Sequence, residues 1–337
     1  MSGKRGIARP PVALMAGTAL AALLNLLLGA YWLVDHPLPG GAASFPARLF
    51  AAFAGADHGF YDRPGQLEMG LVTTNLVIGT ALYAALLLAW ARSWRAALPL
   101  AIAVASVQCY AVMIDLWAGL LDGLPNLDRR AAAAASLFGV AGSWFGFHLL
   151  LGIDAVRRLA GLGWVAHEPA TPLVARDRWV LGLTLFFIFM AFTVELPWLL
   201  ASAELGHMGG AFDAMWSFYG RGDRGYYDAI TGLERGVESF HIFATQWLHL
   251  WLIWAIVTRW AYRYVLQLVV GAYVGFSTAL YLLAKHMTGY ALMPEHTAAA
   301  FLILYLANLP WLTGNGWIAY DAVRGLVRRL PRQEPVR

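Results

Sequence analysis

The sequence predicts an all-α polytopic membrane protein, and three observations predict it. Hydrophobic residues make up 60 % of the 337 positions and charged residues only 13 %, where a soluble chain carries about 25 % charged. Mean hydropathy is +0.58. Apolar runs of the ~20 residues that a helix needs to cross a bilayer recur along the whole chain. So few charges exclude disorder, the single cysteine, Cys109, excludes a disulfide scaffold, and unbroken apolar runs exclude a coiled coil.

Eight segments qualify as spans: roughly 11–35, 67–91, 97–121, 131–153, 179–203, 236–258, 262–284 and 297–320. The first comes after Lys4, Arg5 and Arg9. Its apolar core outruns the ~7–15 residues of a signal peptide, and no small-residue cleavage site follows it cleanly, so it reads as a retained helix. Arg92 and Arg95 join the second span to the third, and Arg157, Arg158, Arg176 and Arg178 lie between the fourth and fifth. Arg259 and Arg263 join the sixth to the seventh, and five arginines end the chain. With the N-terminus inside, those segments hold 16 of the 24 Lys and Arg residues. The expectation is therefore that both termini are cytoplasmic. The net charge of +4 is then a topology signal. No interleaved basic and aromatic patch points to nucleic acid.

The chain also repeats itself. Residues 56–70 read ADHGFYDRPGQLEMG and residues 222–236 read GDRGYYDAITGLERG. At a constant offset of 166, Asp57/Asp223, Gly59/Gly225, Tyr61/Tyr227, Asp62/Asp228, Leu67/Leu233, Glu68/Glu234 and Gly70/Gly236 are identical. DAVRRL at 154–159 matches DAVRGL at 321–326, and Trp32 and Trp144 match Trp198 and Trp311. The chain thus divides into two parallel four-helix units, with an even number of spans each. The units are 1–165 and 179–327, joined by a linker over 166–178 and continued by a basic tail over 328–337.

Ionisable groups inside spans are costly, and each is a functional candidate. Glu195 stands in the fifth span two residues before Pro197, with Trp198 one turn on. Glu238 and His241, at i and i+3 in the sixth span, form half of a carboxylate-bridged metal motif. The first unit has Val72 and Asn75 at those positions, so neither a metal nor any other cofactor is expected. Asn308 and Trp311 flank Pro310 in the eighth span, and His286 ends the seventh. Glu195 and Asn308 face Gly29 and Ala141 in the first unit, which is expected to lack the polar groups a reaction needs. No Gly-rich phosphate loop, zinc-type cluster or G-x-S-x-G elbow occurs.

The run RYVLQLVVGAYVGFSTALYLLAKHMTGY, then AFLILYLANLPWLTGNGWIAYDAVRGL, resembles the emopamil-binding-protein family of sterol Δ8–Δ7 isomerases, in the EXPERA superfamily. The loop AMWSFYGRGDRGYYD resembles that family's loop of Trp, Tyr and Gly-Asp. The resemblance covers about 185–326. Paired units resemble the layout of the transmembrane 6 superfamily. The resemblance implies that Glu195 and Glu238 are the acid and base, that Asn308 and Trp311 belong with them, and that Asp223 is the loop aspartate. Two departures stand out. The family's His one turn before the glutamate is Ala191 here, and its acid in the seventh helix is Thr278. The internal repeat also leaves Glu234 open as the second acid.

The implied function is the shift of a ring double bond in a sterol or terpenoid through a carbocation. Glu195, Glu238, Asn308 and Trp311 are the catalytic candidates. Trp198, Asp223, Tyr227, Glu234, Thr278 and His286 are the candidates for holding substrate. Buried carboxyls suit the proton transfers, and tryptophan faces suit the cation. The alternative is a non-catalytic lipid- or sterol-binding protein of the same fold. The expected partners are a lipid or sterol-like molecule, the bilayer and a second copy of the chain as a homodimer. The absence of an Asn-x-Ser/Thr sequon and the Ala-, Arg- and Gly-rich usage point to a bacterial inner membrane.

Overall fold

A computed structural model describes residues 10–35, 65–121, 131–162, 173–207 and 209–330. Within them the chain is helical, without a strand. The basic N-terminal stretch, the first repeated loop through Asp62, most of the linker and the tail beyond residue 330 lie outside the described residues.

Nine helices run in order among the described residues. They are α1 (Val12–Asp35), α2 (Gln66–Ala91), α3 (Ala97–Leu121), α4 (Ala131–Gly161), α5 (Ala175–Glu204), α6 (Gly210–Gly220), α7 (Gly232–Val257), α8 (Arg263–Met287) and α9 (Ala298–Arg329). Eight are long and apolar enough to cross a membrane, and α6 is too short. Leu23, Phe189, Trp247 and Leu302 face outward from these helices, as side chains bathed by lipid tails do. The protein is thus a multi-pass helical membrane protein.

α3 and α8 are the most enclosed of the eight and pack against each other at the centre. α2 packs on α8, and α7 packs on α3. The chain's first part therefore leans on its second, and the reverse. Close approach depends on two glycines. A Cβ on Gly70 would sit 2.8 Å from the Cβ of Ala284, and one on Gly236 would sit 2.7 Å from the Cβ of Ala118. Both glycines and both alanines are 166 residues apart. At the centre Tyr110 and Phe276, again 166 apart, meet edge to face at 6.2 Å between ring centroids.

The same offset appears in local structure. Glu68 accepts from the Gly65 N–H and Glu234 from the Thr231 N–H, each at 3.0 Å, so the same glutamate satisfies the N-cap amide at the starts of α2 and α7. Both helices then widen into a π-turn, at Asn75–Gly79 and at His241–Thr245.

At the arginine-bearing end, Asp177 pairs with Arg259 at 2.8 Å and with Arg263 at 3.3 Å. Asp154 pairs locally with Arg158 at 2.6 Å. Asp321 instead reaches Arg176 on α5, at 3.5 Å. These contacts tie the inter-helix joins together where the spans end.

Candidate functional site

A cavity of about 310 Å³ lies among α5, α6, α7, α8 and α9 and also touches Tyr110 of α3. Its wall is mainly aromatic, and its carboxyl and imidazole lining groups are Glu195, Glu238 and His241. Among the described residues no arginine or lysine lines it.

Local backbone geometry brings the three groups together. Pro197 has no N–H to continue the α5 ladder, and the turn before it, Ala191–Glu195, is a π-turn ending at the glutamate. The α7 π-turn begins at His241. A π-turn inserts one residue and re-aims the side chains beyond it, which is why such turns gather at functional sites. Glu195 Oε2 lies 2.7 Å from His241 Nδ1. Glu238, one turn before His241, accepts from the Tyr226 hydroxyl at 2.5 Å. One donor atom from each of Glu195, Glu238 and His241 lies within 4.8 Å of the others. Glu195 is the third metal-type donor that the α7 motif lacked in sequence. All three side chains are engaged in hydrogen bonds within the protein, and two carboxylates with an imidazole are equally a proton-handling set.

The imidazole is oriented from behind. The Gln246 amide nitrogen lies 3.4 Å from His241 Nε2, and its oxygen lies 3.1 Å from His249 Nδ1. In the tautomer that accepts this amide N–H at Nε2, the ring proton is on Nδ1 and is donated to Glu195. Trp311 meets the His241 ring edge to face at 4.9 Å and stacks on Phe187 at 4.5 Å.

Asn308 also faces the cavity, but its amide donates to the Tyr219 hydroxyl at 3.1 Å and to the Leu304 carbonyl at 2.8 Å. It braces the aromatic wall and is not bonded to a glutamate. Thr278 lines the cavity with its hydroxyl turned to the Val274 carbonyl.

Five expected residues stand elsewhere. Trp198 is fully buried behind the wall, its indole N–H donating to the Tyr226 carbonyl at 2.9 Å. The tryptophans at the cavity are Trp216 and Trp311. Tyr227 packs against Gly220 outside the cavity. His286 lies at the surface, 3.1 Å from the Tyr290 hydroxyl.

Glu234 and Asp223 are drawn into a buried ion cluster. Lys285 pairs with Asp223 at 2.8 Å and with Glu234, and donates to Gln66 at 2.9 Å. Tyr281 adds a hydrogen bond to Asp223. Burial pushes the Asp223 carboxyl up against the opposing pull of the Lys285 ammonium. Glu238, not Glu234, thus lines the cavity, and Glu234 accepts from the Thr231 N–H and pairs with Lys285. Sequence reasoning missed Lys285, although it is one of only two lysines in the chain. It missed Tyr226 too, because a loop tyrosine carries no periodic signal.

The corresponding region of the first part holds an amide cluster that includes no carboxylate. Gln108 donates to Asn75 at 3.0 Å, Trp144 donates to Gln108 at 3.0 Å, and Asn25 donates to the Asn75 carbonyl at 2.7 Å. Asn75 stands where His241 stands in the second part. Amides that satisfy one another replace the acid–imidazole set.

The fold and this cavity define a polytopic helical membrane protein with a buried acid–imidazole site. No family model, curated protein or solved structure matches the chain.

Proposed function

We propose that this protein is an integral membrane isomerase that moves a carbon–carbon double bond in a sterol- or terpenoid-type lipid, built as two EXPERA-like four-helix units of which the second holds the site. The observation that carries the reading is the convergence of Glu195 and Glu238, from different helices, in one aromatic cavity. Two carboxyls so close, away from water, cannot comfortably both be charged, which is the arrangement that divides acid from base. The His241 N–H stabilises charge on Glu195. Glu238 is then the acid that gives its proton to one alkene carbon, leaving a cation on the neighbouring carbon. Glu195 removes a proton from the next carbon, the new double bond forms, and the protein proton passes back from Glu195 to Glu238. Trp311 and Trp216 offer ring faces to the cation. The resemblance to the sterol isomerases supports the same assignment.

The test is incubation of the purified protein with Δ8-sterols and terpenoid olefins in deuterated water. Deuterium enters the product with wild type and does not with Glu195→Gln or Glu238→Gln. Tight sterol binding without exchange under any condition overturns the isomerase and leaves the second reading, a lipid-binding protein. That reading has its own support, since both carboxyls are already hydrogen-bonded within the protein.

A further inference from the structure

The cavity has a second polar feature that the proton-transfer site does not use. Tyr273 of α8 and Thr245 of α7 both line it, and their hydroxyls are neighbours. Both side chains are more than nine-tenths buried, and neither hydroxyl completes a well-formed hydrogen bond among the described residues. A buried hydroxyl without a partner forfeits on the order of 1–3 kcal/mol, and such groups are otherwise paired. The neighbouring pair differs in this respect: the Tyr110 hydroxyl donates to Ser277 at 2.6 Å. Tyr110 stacks on Tyr273 at 5.2 Å, so the Tyr273 ring is held firmly in place.

We infer that Tyr273 and Thr245 form an oxygen-anchoring subsite, and that the cavity takes a neutral oxygenated lipid, an alcohol or ketone, in preference to a hydrocarbon or an anionic lipid. Three features fix the class. The free groups are hydroxyls, which donate to or accept from an uncharged oxygen. Among the described residues the cavity has no lysine or arginine to meet a carboxylate, sulfate or phosphate. It does contain Glu195, whose carboxylate repels an anion. Thr245 lies seven residues beyond Glu238 on α7, ~10 Å along the helix axis. The inference rests on the lipid-cavity reading above and narrows it.

The test is equilibrium binding in nanodiscs of four probes: a 3-hydroxysterol, its 3-ketone, its 3-deoxy hydrocarbon and its 3-sulfate. Wild type is expected to bind the alcohol or the ketone about five- to tenfold more tightly than the hydrocarbon, as one net hydrogen bond allows. The sulfate is expected to bind more weakly than the hydrocarbon. In the Thr245→Val, Tyr273→Phe double variant the oxygenated probes and the hydrocarbon bind alike, and the hydrocarbon binds no more weakly than to wild type, which reports an intact cavity. Equal affinity for alcohol, ketone and hydrocarbon in wild type, or a preference that survives in the double variant, overturns the subsite and leaves the lipid cavity standing. Should no probe bind, the lipid-cavity reading fails and the subsite with it.

Discussion

Lys285 holds two carboxylates out of reach of water, so removing its charge acts on more than one bond. Lys285→Met leaves Asp223 and Glu234 facing each other without a cation. A broken buried ion pair costs about 3–5 kcal/mol, and the expected result is a large drop in the thermal midpoint in detergent. The Lys285→Met, Glu234→Gln double variant should recover part of that loss, because one uncompensated charge is gone. At His241 the geometry separates two isosteres. Asn places an N–H near the Nδ1 position and Gln places one near Nε2, so His241→Asn should retain more deuterium exchange than His241→Gln. Equal loss in both would mean that donation to Glu195 is not what His241 contributes. Metal analysis of the same preparations checks the other use of three such donors: stoichiometric zinc or iron lost on His241→Asn would replace the proton-sharing account. Glu195 and Glu238 were legible in sequence because a carboxyl in an apolar run has few innocent explanations. Lys285 was not, because it sits near a helix end where a lysine ordinarily reaches water. Here it is buried against Asp223 and Glu234 instead.

At the scale of the element, the two π-turns decide what the carboxyls can do. A sequence shows the residues at an i, i+3 spacing but not the inserted residue that re-aims them, so Glu195 and His241 could not be paired in advance. The short helix α6 was also missed, since eleven residues between two spans leave no membrane signal. Its Trp216 and Tyr219 nevertheless supply part of the cavity wall. The two helix caps were visible only as repeated glutamates. Thr231→Ala removes the hydroxyl that donates to Glu234 at the start of α7, and the loss expected is ~1 kcal/mol, read as a small fall in thermal midpoint with deuterium exchange retained. Gly236→Leu is expected to be far worse. Its side chain would have to enter the space occupied by Ala118, and overpacking of that kind costs about 1–3 kcal/mol or more. The pairing of Gly236→Leu with its counterpart Gly70→Leu compares the two crossings directly by their thermal midpoints.

For the whole molecule, the membrane class and the eight spans could be read from composition and run length, because a bilayer leaves few choices for a backbone that must satisfy its own hydrogen bonds. Element ends shifted by a few residues; α9, for example, continues to Arg329 beyond the expected end at 320. The arrangement of the helices was not legible. The matched residues 166 apart revealed similarity between two stretches but not that α2 rests on α8 and α7 on α3. That crossing comes from small residues opposite one another, a signal easily lost among so many alanines and glycines.

The crossing has a consequence in time. Gly70 and Ala284 are separated by most of the chain, and a ribosome delivers them in order. Until α8 has entered the bilayer, the face of α2 around Gly70 has only lipid against it, and Gln66 has no lysine to accept from. Synthesis thus leaves the early helices waiting for the late ones, with maturation gated by the seventh of the eight spans. A chain truncated after residue 262 should insert yet be cleared by membrane proteases, and supplying residues 173–337 as a separate polypeptide should rescue a fragment ending at 172. Pulse–chase labelling of the two fragments, alone and together, measures that dependence.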